Sequence, residues 1–325
     1  MEPQVSAIIT TWNQAPYIGA AVQSVLTQTR PPDEVVVVDD GSTDDTAAQL
    51  ASYSSRIRIV RQPNQGVAAS RNRGVREARG DLLAFLDGND LWEPDKLAVQ
   101  LAAARENPTA GLVVVDGVIF DEGGVVGDHL FGGPVRDLIA AAGSAARARC
   151  YEYFLTSKLI ATTSQVMMPA GVLAPVGPSD PTFPLASDYD LYLRVAARYN
   201  VAWVDRKLAR WRYVPTSASG PVPRRPLRWA VDLLDIWKKH GVLAQPNHAR
   251  RLREQGRALI RRMSPGAYEY GRRADRRWAS RYLLGLWRRS PASVAPLIFL
   301  LALLGPEAGV SRLARLLRRA APRAG

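Results

Sequence analysis

The chain predicts an α/β fold, an open and mostly parallel sheet with helices on both faces, followed by a basic α-helical region. Two patterns in the first hundred residues carry the sheet. Short apolar runs of the kind that parallel strands bury on both faces alternate with amphipathic stretches at helical spacing. Repeated β-α-β units of this sort close into one twisted sheet. The third observation is a break in charge: residues 1–219 hold 20 Lys+Arg against 24 Asp+Glu, whereas residues 220–325 hold 23 against 6. Three regions follow. Residues 1–105 and 106–219 form the two halves of the α/β domain, and residues 220–325 form the basic helical region.

The strand candidates are residues 5–10, 34–38, 57–60 and 82–86. Between the first two, Ile18, Ala21, Val22, Val25 and Leu26 fall on one helical face. Asn13 suits the N-cap of that helix, and Pro16 suits its first turn. Ser42, Thr43, Asp44 and Asp45 offer caps for a second helix running to about Ala51. Residues 67–79, after Gly66, read as a third. From 106 to 215 the pattern loosens. Strand-like runs at 112–115 and 165–168 alternate with Gly- and Pro-rich turns, and 185–199 reads as a helix entered through acidic residues. Residues 215–226, rich in Pro, Ser and Gly, suit a linker.

A hydrophobic content of 47% over 325 residues is enough to bury a core. Cys150 is the only cysteine, which excludes an intramolecular disulfide framework and any multi-cysteine zinc site. The N-terminus lacks a basic start and an apolar export segment. The apolar stretch at 292–304 is shorter than the roughly 20 residues of a spanning helix and is interrupted by Pro296. The expectation is a cytoplasmic protein without a transmembrane helix.

Three acidic clusters follow predicted strands or open a predicted helix. Asp39 and Asp40, with Gly41 and Ser42, stand at the carboxyl end of the second strand, where ligands bind in open α/β sheets. They either hold a nucleotide or cap a helix and close a turn. Asp87, Asn89 and Asp90 follow the fourth strand onto the same rim. They supply the oxygen ligands that Mg²⁺ or Mn²⁺ takes with a diphosphate, or else make an acidic turn. Asp188 and Asp190 open a helix whose dipole stabilises anions; an ionised carboxylate there also suits a general base.

Taken in order, these clusters and the segments between them resemble the family-2 inverting glycosyltransferases, which have a GT-A fold. The resemblance covers about residues 4–215. It rests on Val37-Val-Asp-Asp-Gly-Ser-Thr-Asp44, Asn64-Gln-Gly-Val-Ala-Ala-Ser-Arg-Asn-Arg-Gly74, Gly80-Asp-Leu-Leu-Ala-Phe-Leu-Asp87, Asp90-Leu-Trp-Glu-Pro-Asp-Lys-Leu97 and Ser187-Asp-Tyr-Asp-Leu-Tyr-Leu-Arg194. It implies that Thr10, Thr11 and Trp12 line a base pocket, that Asp40, with Asp39, holds the base, and that Arg71 and Asn72 lie near the nucleotide. The bland alternatives are core packing for Trp12 and a solvated helix face for Arg71. Asp87 would open the metal motif, with Asn89 and Asp90 beside it; Asp188 matches the catalytic base, with Asp190 structural. Two departures stand out. Asn89 replaces the family's usual Asp, and Trp211-Arg212-Tyr213-Val214 lacks the histidine often found after the last core strand. Arg212 is left to meet the diphosphate. None of His129, His240 and His248 falls in a motif.

The implied activity moves a sugar from a nucleoside-diphosphate sugar, UDP-linked by default, to a glycan or lipid-linked acceptor, with Mn²⁺ or Mg²⁺ as cofactor, in cell-surface polysaccharide or glycolipid synthesis. Near the C-terminus, Val310, Leu313, Ala314, Leu316, Leu317 and Ala320 share one helical face opposite Arg312, Arg315, Arg318 and Arg319. That is the pattern of a cationic helix lying at the inner face of the cell membrane. The rival readings are a non-catalytic nucleotide-sugar-binding protein, a nucleic-acid-binding protein and a dinucleotide oxidoreductase. No helix-turn-helix, zinc or aromatic-stacking signature supports nucleic acid. No Gly-x-Gly-x-x-Gly follows the first strand.

Overall fold

The computed structural model describes residues 2–142, 150–156 and 159–214, together with 232, 235–237, 239 and 240. The chain divides into two compact units, Met1–Tyr213 and Val214–Gly325. The fold described below is that of the first. The expected linker, the apolar stretch at 292–304, the cationic helix and His248 lie outside the described residues. Among the described residues, no helix is long and apolar enough to cross a membrane.

The chain opens with β1 (Val5–Thr11), α1 (Ala15–Leu26), β2 (Glu34–Asp39), α2 (Thr46–Ala51), β3 (Arg58–Arg61), α3 (Val67–Glu77) and β4 (Leu82–Asp87). The four strands pair in parallel in the order β3-β2-β1-β4, with Thr11 level with Asp39 and Thr10 level with Asp87. This half matches the expected β-α-β pattern. Burial on both faces explains the continuous apolar runs: every residue of β1 is buried. Ile18, Val22 and Val25 of α1 pack on Val5, Ile9, Val35 and Val37. On the other side, α3 comes so near β1 that a Cβ added to Gly74 would lie 2.4 Å from Ile8 Cγ2.

The second half holds β5 (Leu91–Trp92), α4 (Lys96–Glu106), β6 (Ala110–Asp121), β7 (Gly124–Gly127), α5 (Gly133–Ala142) and α6 (Cys150–Thr156). It continues through β8 (Val166–Pro169), α7 (Leu173–Val176), α8 (Ser187–Ala196) and β9 (Asn200–Arg212). The sheet runs on as β4-β8-β6-β9-β5, with β7 on β6. Here it is mixed: β8 is antiparallel to β4 and β6, β9 runs parallel to β6, and β5 is antiparallel to β9. The expected mostly parallel sheet is thus parallel across its first four strands and in the β6–β9 pair.

One expected cap differs. Gln14, not Asn13, precedes α1 and makes no side-chain cap. Asn13 instead takes a left-handed backbone (φ 52°) and ties two loops together: its amide donates to Ser42 Oγ (2.9 Å), and its Oδ1 accepts from the Thr43 amide (2.8 Å). The free amide of Ala15, at the start of α1, is met from across the rim by Asp44 Oδ2 (3.1 Å).

Candidate active site

The carboxyl ends of β2, β1 and β4 are held level by main-chain bonds. The Asp40 amide donates to the Thr11 carbonyl and the Gly88 amide to the Thr10 carbonyl, each at 2.9 Å. Thr10 and Thr11 are buried in this rim, and the Thr11 hydroxyl donates to Gln14 Oε1 (3.0 Å). Trp12, the next residue, is 52% exposed. Core packing is therefore not its role; a large flat apolar surface stands free beside the rim.

Asp39 and Asp40 divide their tasks. Asp39 Oδ1 accepts from the Ser42 amide (2.9 Å), and Oδ2 faces Arg61 Nε at 3.5 Å, so this buried carboxylate closes the turn around Gly41. Asp40 reaches to the next loop. It accepts from Gln62 Nε2 (2.7 Å), the Gln65 amide (3.0 Å) and the Gly66 amide (2.8 Å). Gly66 precedes the first residue of α3, so Asp40 anchors the helix that presents Arg71 and Asn72. Both aspartates make the loop-closing contacts that their spacing also allowed.

Arg71 is a buried hub. Its Nη2 donates to Asp87 Oδ1 at 2.8 Å. Burial works against its charge, but the Asp87 and Asp188 carboxylates outweigh that and raise its pKa. Asp188 lies in the first turn of α8, half-buried, with Oδ1 accepting from the Tyr189 amide (2.8 Å). Asp190 points elsewhere. It is fully buried and ion-paired to Arg194 Nε (2.9 Å), a structural contact within the helix. Asn72 clamps the loop before α8 in both directions, giving a hydrogen bond to the Ser179 carbonyl (2.8 Å) and taking one from its amide (2.9 Å). Asp87 and Asp188, far apart in the chain, thus flank one guanidinium.

The acidic turn after β4 does not act as a trio. Asp90 is fully buried, and both its oxygens are engaged. Oδ2 accepts from Ser164 Oγ (2.6 Å) and Thr162 Oγ1 (3.0 Å), and Oδ1 accepts from the Arg212 amide (2.9 Å). Burial, with the Asp87 charge nearby, pushes its carboxyl up to about 7. Asp90 therefore staples the end of β9 to the 162–164 turn, with both oxygens engaged there. Asn89 Oδ1 accepts from Gln14 Nε2 (3.2 Å), while its carbonyl accepts from Arg212 Nε (2.9 Å). The Arg212 guanidinium lies between the rings of Phe120 and Tyr17, at 4.4 and 4.8 Å from their centroids, which fixes a cation at the rim. Among the described residues, no group of three His, Cys, Asp or Glu is arranged to hold a metal ion. What remains is one half-exposed carboxylate, Asp87, and one amide oxygen, Asn89. This donor set fits Mg²⁺ or Mn²⁺ as a nucleotide complex in which the diphosphate and water supply most of the oxygens.

Several residues at the site were not anticipated. Thr162 caps a short turn reciprocally with Gln165 and also touches Asp87 Oδ2 (3.3 Å). The Thr162-x-x-Gln165 spacing is a capping-box signal that was legible. Tyr192 stands four residues after Asp188 on α8, one turn along the same face. His129, outside every motif, shares a 2.6 Å hydrogen bond with the buried Asp116.

Comparison with known proteins agrees with this geometry. Residues 6–149 match the family model described as glycosyl transferase family 2. The chain is 37% identical over 107 residues to the putative glycosyltransferase EpsH of Bacillus subtilis, covering 32% of this chain and 31% of that one. It is 38% identical over 131 residues to the putative teichuronic acid biosynthesis glycosyltransferase TuaG of Bacillus subtilis, covering 37% and 52%. With the chondroitin synthase of Escherichia coli it shares 38% identity over 108 residues, covering 32% and 16%. The chain thus spans from 16% to 52% of the length of these relatives. The crystal structure of S. aureus TarS 1–349 in complex with UDP-GlcNAc superposes with a TM-score of 0.59 at 18% identity, covering 92% of this chain and 81% of that one. At that identity the likeness is one of fold. Residues 6–149 thus match glycosyl transferase family 2, and the sheet has the architecture of the GT-A fold.

Proposed function

We propose that the protein is an inverting glycosyltransferase that moves a sugar from a UDP-sugar to a hydroxyl of a glycan or lipid-linked acceptor. The observation that carries the reading is the pair of carboxylates, Asp87 and Asp188, brought close enough to act on one guanidinium, that of Arg71. Asp87 stands at the strand rim where nucleotides bind in open α/β sheets. Asp188 acts on the same guanidinium, and in this reading one of its oxygens meets the incoming hydroxyl. In this reading Trp12 stacks on the base beside Thr10 and Thr11. Arg212, fixed between two rings, faces the diphosphate as its charge grows in the transition state. Asp188 takes the acceptor proton as the hydroxyl attacks C1, and the single displacement inverts the anomeric centre. A Mg²⁺ or Mn²⁺ ion, where bound, would be held by Asp87 and Asn89 and would neutralise charge on the leaving diphosphate. A role in cell-surface polysaccharide synthesis is supported by the names of TuaG and the chondroitin synthase. Work at the inner face of the cell membrane is supported by the basic residues of 220–325.

Asp188→Asn removes the proton acceptor but keeps its shape. Turnover is expected to fall by at least about 10²–10⁴-fold, the usual contribution of a general base, while calorimetric UDP binding persists. A variant that keeps most of its turnover sinks the assignment. A second reading, a nucleotide-sugar-binding protein without catalysis, is favoured by Asn89 and the diverted Asp90. Transfer or donor hydrolysis with Mn²⁺ present separates the two: the first reading requires turnover, the second requires binding alone.

A further inference from the structure

The two helices that carry the candidate reaction come from distant parts of the chain: α3 presents Arg71, and α8 holds Asp188 in its first turn. The start of α8 has no side-chain cap, since Ala186 stands at its N-cap. Instead the segment before it is gripped from both sides. From α8 itself, Arg194 donates to the carbonyls of Val176, Gly177 (3.0 Å) and Pro178 (2.8 Å) and pairs with Asp190 (2.9 Å). From α3, Asn72 takes the next residue. Its Nδ2 donates to the Ser179 carbonyl (2.8 Å), and its Oδ1 accepts from the Ser179 amide (2.9 Å). One side chain thereby satisfies both main-chain groups of a buried residue.

This pair of bonds needs a donor and an acceptor on separate atoms at the end of a short side chain. Asparagine supplies both; aspartate only accepts, and leucine does neither. A single bond would let the segment swing about it, whereas two bonds to one residue fix its orientation. Arg71, the preceding residue, binds Asp87 at 2.8 Å. Adjacent side chains of α3 thus hold the rim carboxylate and the entry to the helix of Asp188. The start of α3 is in turn anchored by Asp40 through the Gln65 and Gly66 amides. Resting on the reading of Asp188 as the general base, we infer that Asn72 is a positioning residue: by tying the segment before α8 to α3, it sets the place of the base relative to the donor rim.

Three variants of the full chain test this. Asn72→Leu is close in volume and lacks both hydrogen-bonding ends, Asn72→Asp keeps the acceptor alone, and Asn72→Gln keeps both on a longer stem. UDP release with Mn²⁺ is measured from UDP-glucose, UDP-galactose, their 2-acetamido counterparts and UDP-glucuronate, using the donor that the native protein turns over fastest. Water serves as the acceptor. Turnover in Asn72→Leu and Asn72→Asp is expected to fall about tenfold or more, toward the roughly 100-fold that a misplacement of about 1 Å costs, with calorimetric UDP affinity within about twofold of native. Asn72→Gln should recover part of the loss. A double variant decides between positioning and mere stability. Added to Asp188→Asn, Asn72→Leu should lower turnover by less than about a further twofold, because a base already removed cannot be misplaced. A tie that served stability alone would multiply the two losses, and that result overturns the inference. So does undiminished turnover in both Asn72→Leu and Asn72→Asp, or a UDP affinity that falls in step with turnover, which returns Asn72 to the nucleotide. Loss of turnover in Asp188→Asn without loss at Asn72 removes this inference alone and leaves the base standing. Retained turnover in Asp188→Asn, or no UDP release by the native protein, removes both.

Discussion

Arg71 is the residue on which the candidate site turns. One guanidinium neutralises Asp87 through Nη2 and feels Asp188 as well. Arg71→Met would leave Asp87 without its partner, at a cost of about 1–3 kcal/mol for a polar group stranded in a part-buried place. Arg71→Lys restores charge but not the two-sided fork, so its stability should fall between the two. Urea titrations of the three proteins check the order, and equal midpoints would contradict it. The role of Arg71 was only half legible in the chain. Its place after Gly66 and before Asn72 marked it as near the nucleotide, but a solvated helix face read equally well until burial and the Asp87 contact decided. The contacts of Asp90 were hidden for the opposite reason. An aspartate three residues after Asp87 looks like a ligand, and nothing local says that Thr162, Ser164 and the Arg212 amide, from distant segments, use up its oxygens.

Among elements, the β-α-β half was legible because each parallel strand is buried on both faces and so reads as an unbroken apolar run. The strand β9 was not. Its middle residues, Asp205, Arg206 and Lys207, are exposed, and the register against β6 shifts on either side of Asp116, so no period of two survives along its 13 residues. The antiparallel entry of β8 was likewise hidden, although its capping turn was spelled out by Thr162 and Gln165. The closest helix-to-strand seam is that of α3 on β1. Gly74→Ala places a methyl against Ile8, which is itself fully buried, and is expected to destabilise by about 1–3 kcal/mol through overpacking. The usual gain of a helical Gly→Ala change, about 1 kcal/mol, does not offset a clash at that depth. A denaturation midpoint at or above that of the native protein would refute the packing argument.

For the molecule as a whole, the fold class and the order of motifs were readable, while the mixed half of the sheet required long-range pairing that local pattern does not encode. A global signature lies in Lys96. Its amine is fully buried, donates to Gln100 Oε1 (2.7 Å) and lies 3.8 Å from the centroid of the Trp92 ring, and among the described residues no carboxylate pairs with it. Burial pushes its pKa well below the ordinary lysine value, against the mild attraction of the ring. The unfolded chain, in which this lysine titrates at about 10.4, therefore holds more protons than the native one as pH approaches that value from below. Stability from this group rises with pH toward the unfolded pKa and is lost as pH falls. As pH rises toward about 10.4 the native protein should gain on Lys96→Met, by at most about 1.4 kcal/mol per pH unit. Parallel melting curves would show that the amine stays charged. The level rim has a different consequence. Asp40 and Gly88 hang on β1 through their main-chain amides, and Gly88 leaves no room for a side chain, since a Cβ there would lie 2.5 Å from Gln14 Oε1 and 3.0 Å from the Thr10 carbonyl. Variation can therefore enter this edge at exposed Trp12, whereas Gly88 and the carboxylate that anchors the third helix are held to their present identities.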